Sequence, residues 1–310
     1  MTEENIMANT SFVGPVRSKN NYKLYSTTAS TGVEHDRTMG DPAKDARRYY
    51  LEEWFLQRPG LNAINIIDPD ADSASALAAT QAANRNFETL GTNMTTALTT
   101  FSATHGGILM TTAGADQDQA IITPHLDTAA TAWAGCQWGT ENEVHFETSI
   151  MLPAIDNQNV WAGLKLTNVP ELATDDDQAF FNFLTDADNS GQSFTDFTKL
   201  HFVYSVGGTD YISQLPITVA ANTPYHLKME IDSDRKVTIF VNGIQYNVTS
   251  TSGSTGGTAV TAVQPSTAAT KSTALTNDVD LIPYNGIEAN AGAAEALNTH
   301  YICMSRNVYE

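Results

Sequence analysis

Residues 225–248 read YHLKMEIDSDRKVTIFVNGIQYNV, and their reading decides the fold. In the first eight, Leu227, Met229 and Ile231 alternate with His226, Lys228 and Glu230, which is the period of a strand with one buried face. Asn242 and Gly243 then separate KVTIFV from IQYNV. A two-residue hairpin turn asks for such a pair, because both of its central positions take positive φ. Strand, turn, strand, turn, strand is therefore written into 24 consecutive residues.

The same pattern extends outward in both directions. From residue 83 onward, short runs of β-branched and aromatic residues are separated by Gly, Asn, Asp and Pro, which predicts a sandwich or barrel. The predicted strands are GILMTT (107–112), QAIITP (119–124), EVHFETSIML (143–152), VWAGLKLT (160–167), AFFNFLT (179–185), KLHFVYSVG (199–207), the three already quoted, DLIPYNGIEA (280–289) and THYICMSRNV (299–308). In the 143–152 run, Val144, Phe146, Thr148, Ile150 and Leu152 fall on one side, and Glu143, His145, Glu147 and Ser149 on the other. Residues 249–278 are a nearly uncharged Ser/Thr/Gly/Ala insertion between strands, expected either to be disordered or to protrude and pack on a neighbour.

The stretch 225–248, taken with DLIPYNGIEANAGAAEALNTHYICMSRNV at 280–308, resembles the closing strands of the concanavalin A-like lectin/glucanase jelly roll, the superfamily that includes laminin-G-like modules. The resemblance covers residues 83–310 and implies an all-β fold, a jelly-roll β-sandwich of two antiparallel sheets. It specifies fold more than function. A second resemblance lies in MANTSFVGPVRSKN at 7–20, which is similar to the start of virion structural proteins of tailed phages, particularly those infecting marine cyanobacteria.

The N-terminal sixth differs chemically from the rest. Residues 1–60 hold eight basic and eight acidic residues, so the whole formal charge of −19 lies in residues 61–310. Residues 1–40 form an extended arm whose 8–40 stretch shows no sustained period, and a segment this polar does not bury enough of itself to offset its ordering entropy. Phe12, Val13, Val16, Tyr22, Leu24 and Tyr25 are spaced along it as anchors for a partner surface. Asp41 and Pro42 read as an N-cap and first helical residue, and AKDARRYYLEEWFLQ predicts a short helix within 41–60, stopped by Pro59 and Gly60. On that helix Tyr50 and Trp54, with Leu51 and Phe55, would form one stripe, facing either the adjacent domain or another subunit. Residues 61–82 read as a small-residue acidic linker.

Charge and composition narrow the function. A chain at −19 is repelled by a polyanion, which argues against nucleic acid as a partner. No run of about 18 apolar residues occurs, so a membrane-spanning helix is not expected. The start lacks the basic end and apolar stretch of a secretion signal, Met7 is an alternative start, and production in a host cytoplasm is expected. Cys136 and Cys303 are too few and too isolated for a disulfide framework.

Several constellations carry chemistry in other contexts. Glu143, His145 and Glu147 resemble the E-x-D-x-E of jelly-roll glucanases, in which two carboxylates act as nucleophile and acid, but His145 replaces the central Asp. The polar face of an exposed sheet explains the same spacing. Asp186, Asp188 and Ser190, followed by Gly191, have calcium-loop spacing, with Asp175, Asp176 and Asp177 close enough in sequence to supplement it, but Phe197 stands where a bidentate Glu is needed, and the composition also suits a surface turn. The seven His have no helical metal-ligand spacing. Trp133, Trp138, Trp161, Tyr204 and Tyr211 suit either sugar stacking or a core. No G-x-S-x-G, P-loop or dinucleotide glycine motif occurs.

These readings lead to three expectations. The first is a non-enzymatic capsid decoration or cement protein on a phage particle, needing no cofactor. Its arm would bind the major capsid protein or other virion subunits, with self-association as a homo-oligomer. The second is a lectin-like module for host glycans, with calcium near Asp186. The third is a glycosidase using Glu143 and Glu147.

Overall fold

The computed structural model describes residues 25–27, 34–36, 48–56, 58–61, 84–124, 138–167, 175–185, 194–252, 260–261 and 270–307. In chain order its strands are β1 (Tyr25–Thr27), β2 (Glu34–Asp36), β3 (Arg48–Glu53), β4 (Pro59–Leu61), β5 (Asn84–Leu90), β6 (Thr99–Phe101), β7 (Ile108–Thr111), β8 (Gln119–Pro124), β9 (Trp138–Gly139) and β10 (His145–Met151). They continue with β11 (Gln158–Lys165), β12 (Gln178–Leu184), β13 (Lys199–Val206), β14 (Thr209–Thr218), β15 (Pro224–Ile231), β16 (Val237–Val241), β17 (Ile244–Tyr246), β18 (Val260–Thr261), β19 (Asp280–Ala289) and β20 (Ala296–Asn307). The fold is all-β, and two large sheets form a sandwich. One has eight strands in the order β17-β16-β15-β10-β20-β7-β6, with β3 also paired to β20. The other has ten, β18-β14-β13-β12-β11-β19-β8-β5-β4, with β9 paired to β19. Within them only the short β18 and β4 pair in parallel.

The quoted stretch folds as its pattern requires. Leu227, Met229 and Ile231 are buried, and β15 pairs with β16 from Leu227↔Val241 to Ile231↔Val237. The turn before β16 is held by Asp232, whose Oδ1 accepts the backbone N–H groups of Asp234 and Lys236, each at 2.9 Å. Asn242 and Gly243 take φ of 51° and 76° and join β16 to β17, as the hairpin chemistry demands.

The core lies between the sheets. Phe146, Leu227, Met229 and Ile239 of the eight-stranded sheet meet Val160, Phe181, Phe202 and Tyr204 of the ten-stranded one. Burying each such side chain contributes roughly 1.5–3 kcal/mol. A polar bridge crosses this core, where Asn285 Nδ2 donates to Thr148 Oγ1 at 2.7 Å and that hydroxyl donates to the Tyr301 carbonyl at 2.7 Å.

The expected helix within 41–60 is corrected where it is described. Residues 48–53 are strand β3, paired with β20 from Asn307↔Arg48 to Ile302↔Glu53. Tertiary pairing overrides helical propensity here. The Arg48 guanidinium fixes the register, donating to Ser305 Oγ, Asn307 Oδ1 at 2.9 Å and the Glu143 carbonyl at 2.8 Å. With two-residue periodicity, Tyr50 and Leu51 face opposite sides of the sheet. The chain then turns at Phe55, whose φ is 54°, and joins the other sheet as β4 beside β5. Residues 41–47 lie outside the described residues.

The insertion is also partly resolved into structure. Val260 and Thr261 form β18 on the edge of β14, and Leu275 is buried, its N–H donating to the Arg235 carbonyl at 2.8 Å. The described part of 249–278 thus packs on its own domain.

Candidate functional site

The EVHFE motif begins before its strand. Glu143 sits in the preceding turn with φ of 49°, while β10 starts at His145 and turns Phe146, Thr148 and Ile150 into the core. His145, Glu147 and Ser149 therefore occupy the outer face of the eight-stranded sheet, beside Ser305, Cys303 and Tyr301 of β20. Glu147 Oε1 accepts a 2.6 Å hydrogen bond from Tyr301 Oη. Burial, and then that bond, push the Tyr301 phenol far above its ordinary pKa. Burial followed by the charges of Glu147 and Glu52 pushes the Cys303 thiol up to about 12, so it is not a nucleophile at neutral pH. The structure gives Glu147 a tyrosine partner, and Glu143 contributes its carbonyl to Arg48.

On the same face, Lys228 Nζ lies 2.6 Å from Glu230 Oε1. Burial raises the Glu230 pKa, but the charges of Lys228, His145 and Arg48 outweigh it and the net shift is downward. His300 occupies a bulge in β20 and bonds Ser149 Oγ through Nδ1 at 2.9 Å.

The far face of the ten-stranded sheet, turned away from the core, is unusual in being both apolar and polar while fully covered. Leu90, Ile121, Trp161, Phe180, Val203, Ile212, Ile282 and Tyr284 form a second buried cluster there. Gly286 is required beneath Trp161, because a Cβ at that position would lie 2.4 Å from the indole. Two transverse polar rows run through the cluster. In one, cross-strand neighbours Asp210, Ser205, Gln178 and Lys165 form a hydrogen-bonded chain ending on Asp175. In the other, Gln214, His201, Asn182 and Trp161 are successive neighbours across β14, β13, β12 and β11.

This second row holds unpartnered atoms. Both ring nitrogens of His201, Asn182 Oδ1, Trp161 Nε1, Gln214 Oε1 and Asn159 Nδ2 are buried with no hydrogen-bond partner among the described residues. Phe194 stacks on the His201 ring, with centroids 3.9 Å apart and planes at 12°. Burial depresses the His201 pKa to about 4, only partly offset by the nearby Lys199 backbone and Gln214 side chain, so the imidazole is neutral at pH 7.

Of the sequence-derived site residues, Asp186, Asp188 and Ser190 lie outside the described residues, as do Phe12, Val13, Val16, Tyr22 and Leu24. The backbone of Tyr25 lies in β1, opposite Asp36 of β2. Asp175 and Asp177, near the proposed calcium turn, are engaged elsewhere: Asp175 with Lys165 and Thr167, and Asp177 with the Gly207 N–H and the Thr276 hydroxyl. Among the described residues no group of three or more His, Cys, Asp or Glu is placed to hold a metal ion. No described helix is long and apolar enough to cross a membrane. Trp138, Trp161 and Tyr204 are buried, and Tyr211 stacks on Tyr204 with centroids 4.5 Å apart.

The root of the arm presents the remaining feature. Trp54 stacks on Tyr301 with centroids 4.7 Å apart yet is 49% exposed, Tyr49 is 41% exposed and Leu56 is 88% exposed. Between them Phe55 is buried at 3%, and its backbone N–H donates to Glu53 Oε1 at 2.5 Å. Arg58 Nη1 reaches the Thr99 carbonyl at 3.2 Å. Residues 48–56 and 58–61 thus form a clasp tied into both sheets, with Trp54 and Leu56 exposed, while Tyr49, on the opposite face of β3, lies against Trp138 with ring centroids 6.0 Å apart.

Sequence reasoning did not single out Lys165, Gln178, His201 or Asn182 as a site, and took Asp175 only as a supplement to a calcium turn. Their signal was present: VWAGLK, FFNF and LHFVY are apolar strands each interrupted by a single polar residue. A lone polar residue in a strand buried on both faces needs a partner across the ladder.

No protein-family model and no curated protein matches the chain. Among solved structures, a Shewanella oneidensis protein of unknown function is similar at 10% identity and a TM-score of 0.43, covering 88% of this chain and 96% of that one. The Bacillus licheniformis β-glucanase is similar at 12% identity and a TM-score of 0.41, covering 73% and 94%, and peanut lectin at 9% and 0.41, covering 84% and 97%. Likeness at this level is one of general architecture and assigns no role to any residue.

Proposed function

We propose that this protein is a non-enzymatic structural subunit of a tailed-phage particle, a capsid decoration or cement protein held by its N-terminal arm. The observation that carries this reading is the clasp: Trp54 and Leu56 are exposed on a segment anchored in both sheets. Force on the arm would pass through β3 and Phe55 into the core. The resemblance of residues 7–20 to tailed-phage virion proteins points the same way. The partners are the major capsid protein or neighbouring virion subunits, and the acidic sandwich faces solvent, where its net charge discourages aggregation.

The test is co-sedimentation of the full chain with undecorated particles, comparing wild type with Trp54→Ala/Leu56→Ser. Retention of wild type and loss of the double variant supports the reading. Equal retention of both removes the clasp from the interface, and no retention of either removes the particle as partner.

A second reading is glycan binding. It is favoured by the unpartnered polar atoms of His201, Asn182, Asn159 and Gln214 beside Trp161, a neutral hydrogen-bonding set next to an aromatic ring. Binding to a glycan panel that is lost in Trp161→Phe would support it.

A further inference from the structure

Strands β11 and β12 bring an amine, a carboxamide and a carboxylate together in a site closed to water. Lys165 and Gln178 are cross-strand partners, and Lys165 Nζ lies 2.5 Å from Gln178 Oε1. Asp175 Oδ2 lies 3.3 Å from the same Nζ, and both charged side chains are wholly unexposed. The Phe180 ring covers the amine, its centroid 4.4 Å from Nζ.

The network fixes which way the carboxamide points. Asp210 accepts the Ser205 hydroxyl proton at 2.7 Å, which leaves the Ser205 oxygen to accept from Gln178 Nε2 at 2.8 Å. Nε2 therefore faces Ser205 and Oε1 faces the lysine. A C=O bond is about 1.23 Å long, so Nζ is no more than about 3.7 Å from Gln178 Cδ. Bonds form from separations of about 3–3.5 Å.

We propose that Lys165 and Gln178 condense into an intramolecular isopeptide bond, with Asp175 carrying the protons. Asp175 Oδ2, 3.3 Å from Nζ, is the proton carrier within reach of the amine. Asp175 takes a proton from the Lys165 ammonium, and the free amine attacks Gln178 Cδ. The carboxyl group then relays a proton from Nζ to Nε2, the Cδ–Nε2 bond breaks, and nitrogen departs as ammonium. One C–N bond forms and one breaks, with no oxidation and no outside reagent. Asp175 ends ionised, still accepting from the Thr167 N–H and hydroxyl. The product locks two adjacent strands of the ten-stranded sheet covalently, so the β11–β12 hairpin cannot be pulled open at that rung.

Intact-mass spectrometry of the folded full chain, followed by peptide mapping, tests this. The expected wild-type mass is below the sequence mass by one ammonia, about 17 Da, with a branched peptide joining Lys165 to Gln178. Lys165→Arg and Asp175→Asn, each checked for β-sheet content by circular dichroism, are expected to return to their full sequence masses. The full sequence mass in folded wild type overturns the proposal whatever the variants do. Loss of one water, about 18 Da, with a link from Lys165 to Asp175 overturns the assignment of Gln178.

Discussion

Phe55 packs edge-to-face on Phe87, with ring centroids 6.0 Å apart and planes at 68°. One ring belongs to the clasp that follows β3 and the other to β5 of the ten-stranded sheet. This contact seats the clasp in the core. Phe55→Ala should destabilise the fold by about 3–5 kcal/mol, the usual cost of emptying a buried phenylalanine site. Urea denaturation measures it, and a loss below about 1 kcal/mol would mean that the clasp is not seated as described.

The neighbouring Trp54 behaves oppositely. It is half exposed, so Trp54→Ala should change stability by no more than about 1 kcal/mol while weakening particle binding. Measuring both quantities on one preparation separates an interface residue from a structural one.

His201 makes stability depend on pH with a definite sign. Its folded pKa of about 4 lies below the ordinary value of 6.5. The unfolded chain therefore binds a proton that the folded chain refuses between those values. The neutral ring costs nothing above pH 6.5, and stability falls as pH drops from there toward 4, by on the order of 3 kcal/mol. His201→Gln should flatten that part of the curve. Parallel curves for the two proteins between pH 7 and 4 would contradict the assignment.

Gly286→Ala should destabilise the protein by roughly 1–3 kcal/mol, because the added methyl group collides with the Trp161 indole. Near-ultraviolet circular dichroism reports whether the indole moves. A Trp161→Phe background should relieve part of the loss.

The strands were legible in the sequence both where alternation marks one buried face and where an unbroken apolar run marks two, as at 160–167, 179–185 and 199–207. The 225–248 segment and the 143–152 run gave the correct inward residues, because strict alternation has one structural meaning. Strand β14 was missed because TDYISQLPIT mixes Gln214 and Pro216 into its pattern, and β5 because NRNFETL offers only Phe87 and Leu90 as large apolar residues. The segment at 48–53 read as helix because RRYYLEEW has good helical propensity, and only its ladder with β20, invisible locally, makes it a strand. The far-face polar rows were hidden for a related reason. Lys165, Gln178 and His201 lie in separate strands, and only the register brings them into line.

The measurement that bears most directly on the function is hydrogen exchange of residues 8–60 in the full chain, free and bound to intact undecorated particles. The account predicts slow exchange at 48–53 in both states, from the β3–β20 ladder, and protection of residues 8–24, which precede the β1–β2 ladder, only on particles. Residues 8–24 exchanging equally in both states would contradict the arm as an anchor, as would full protection already present in the free protein.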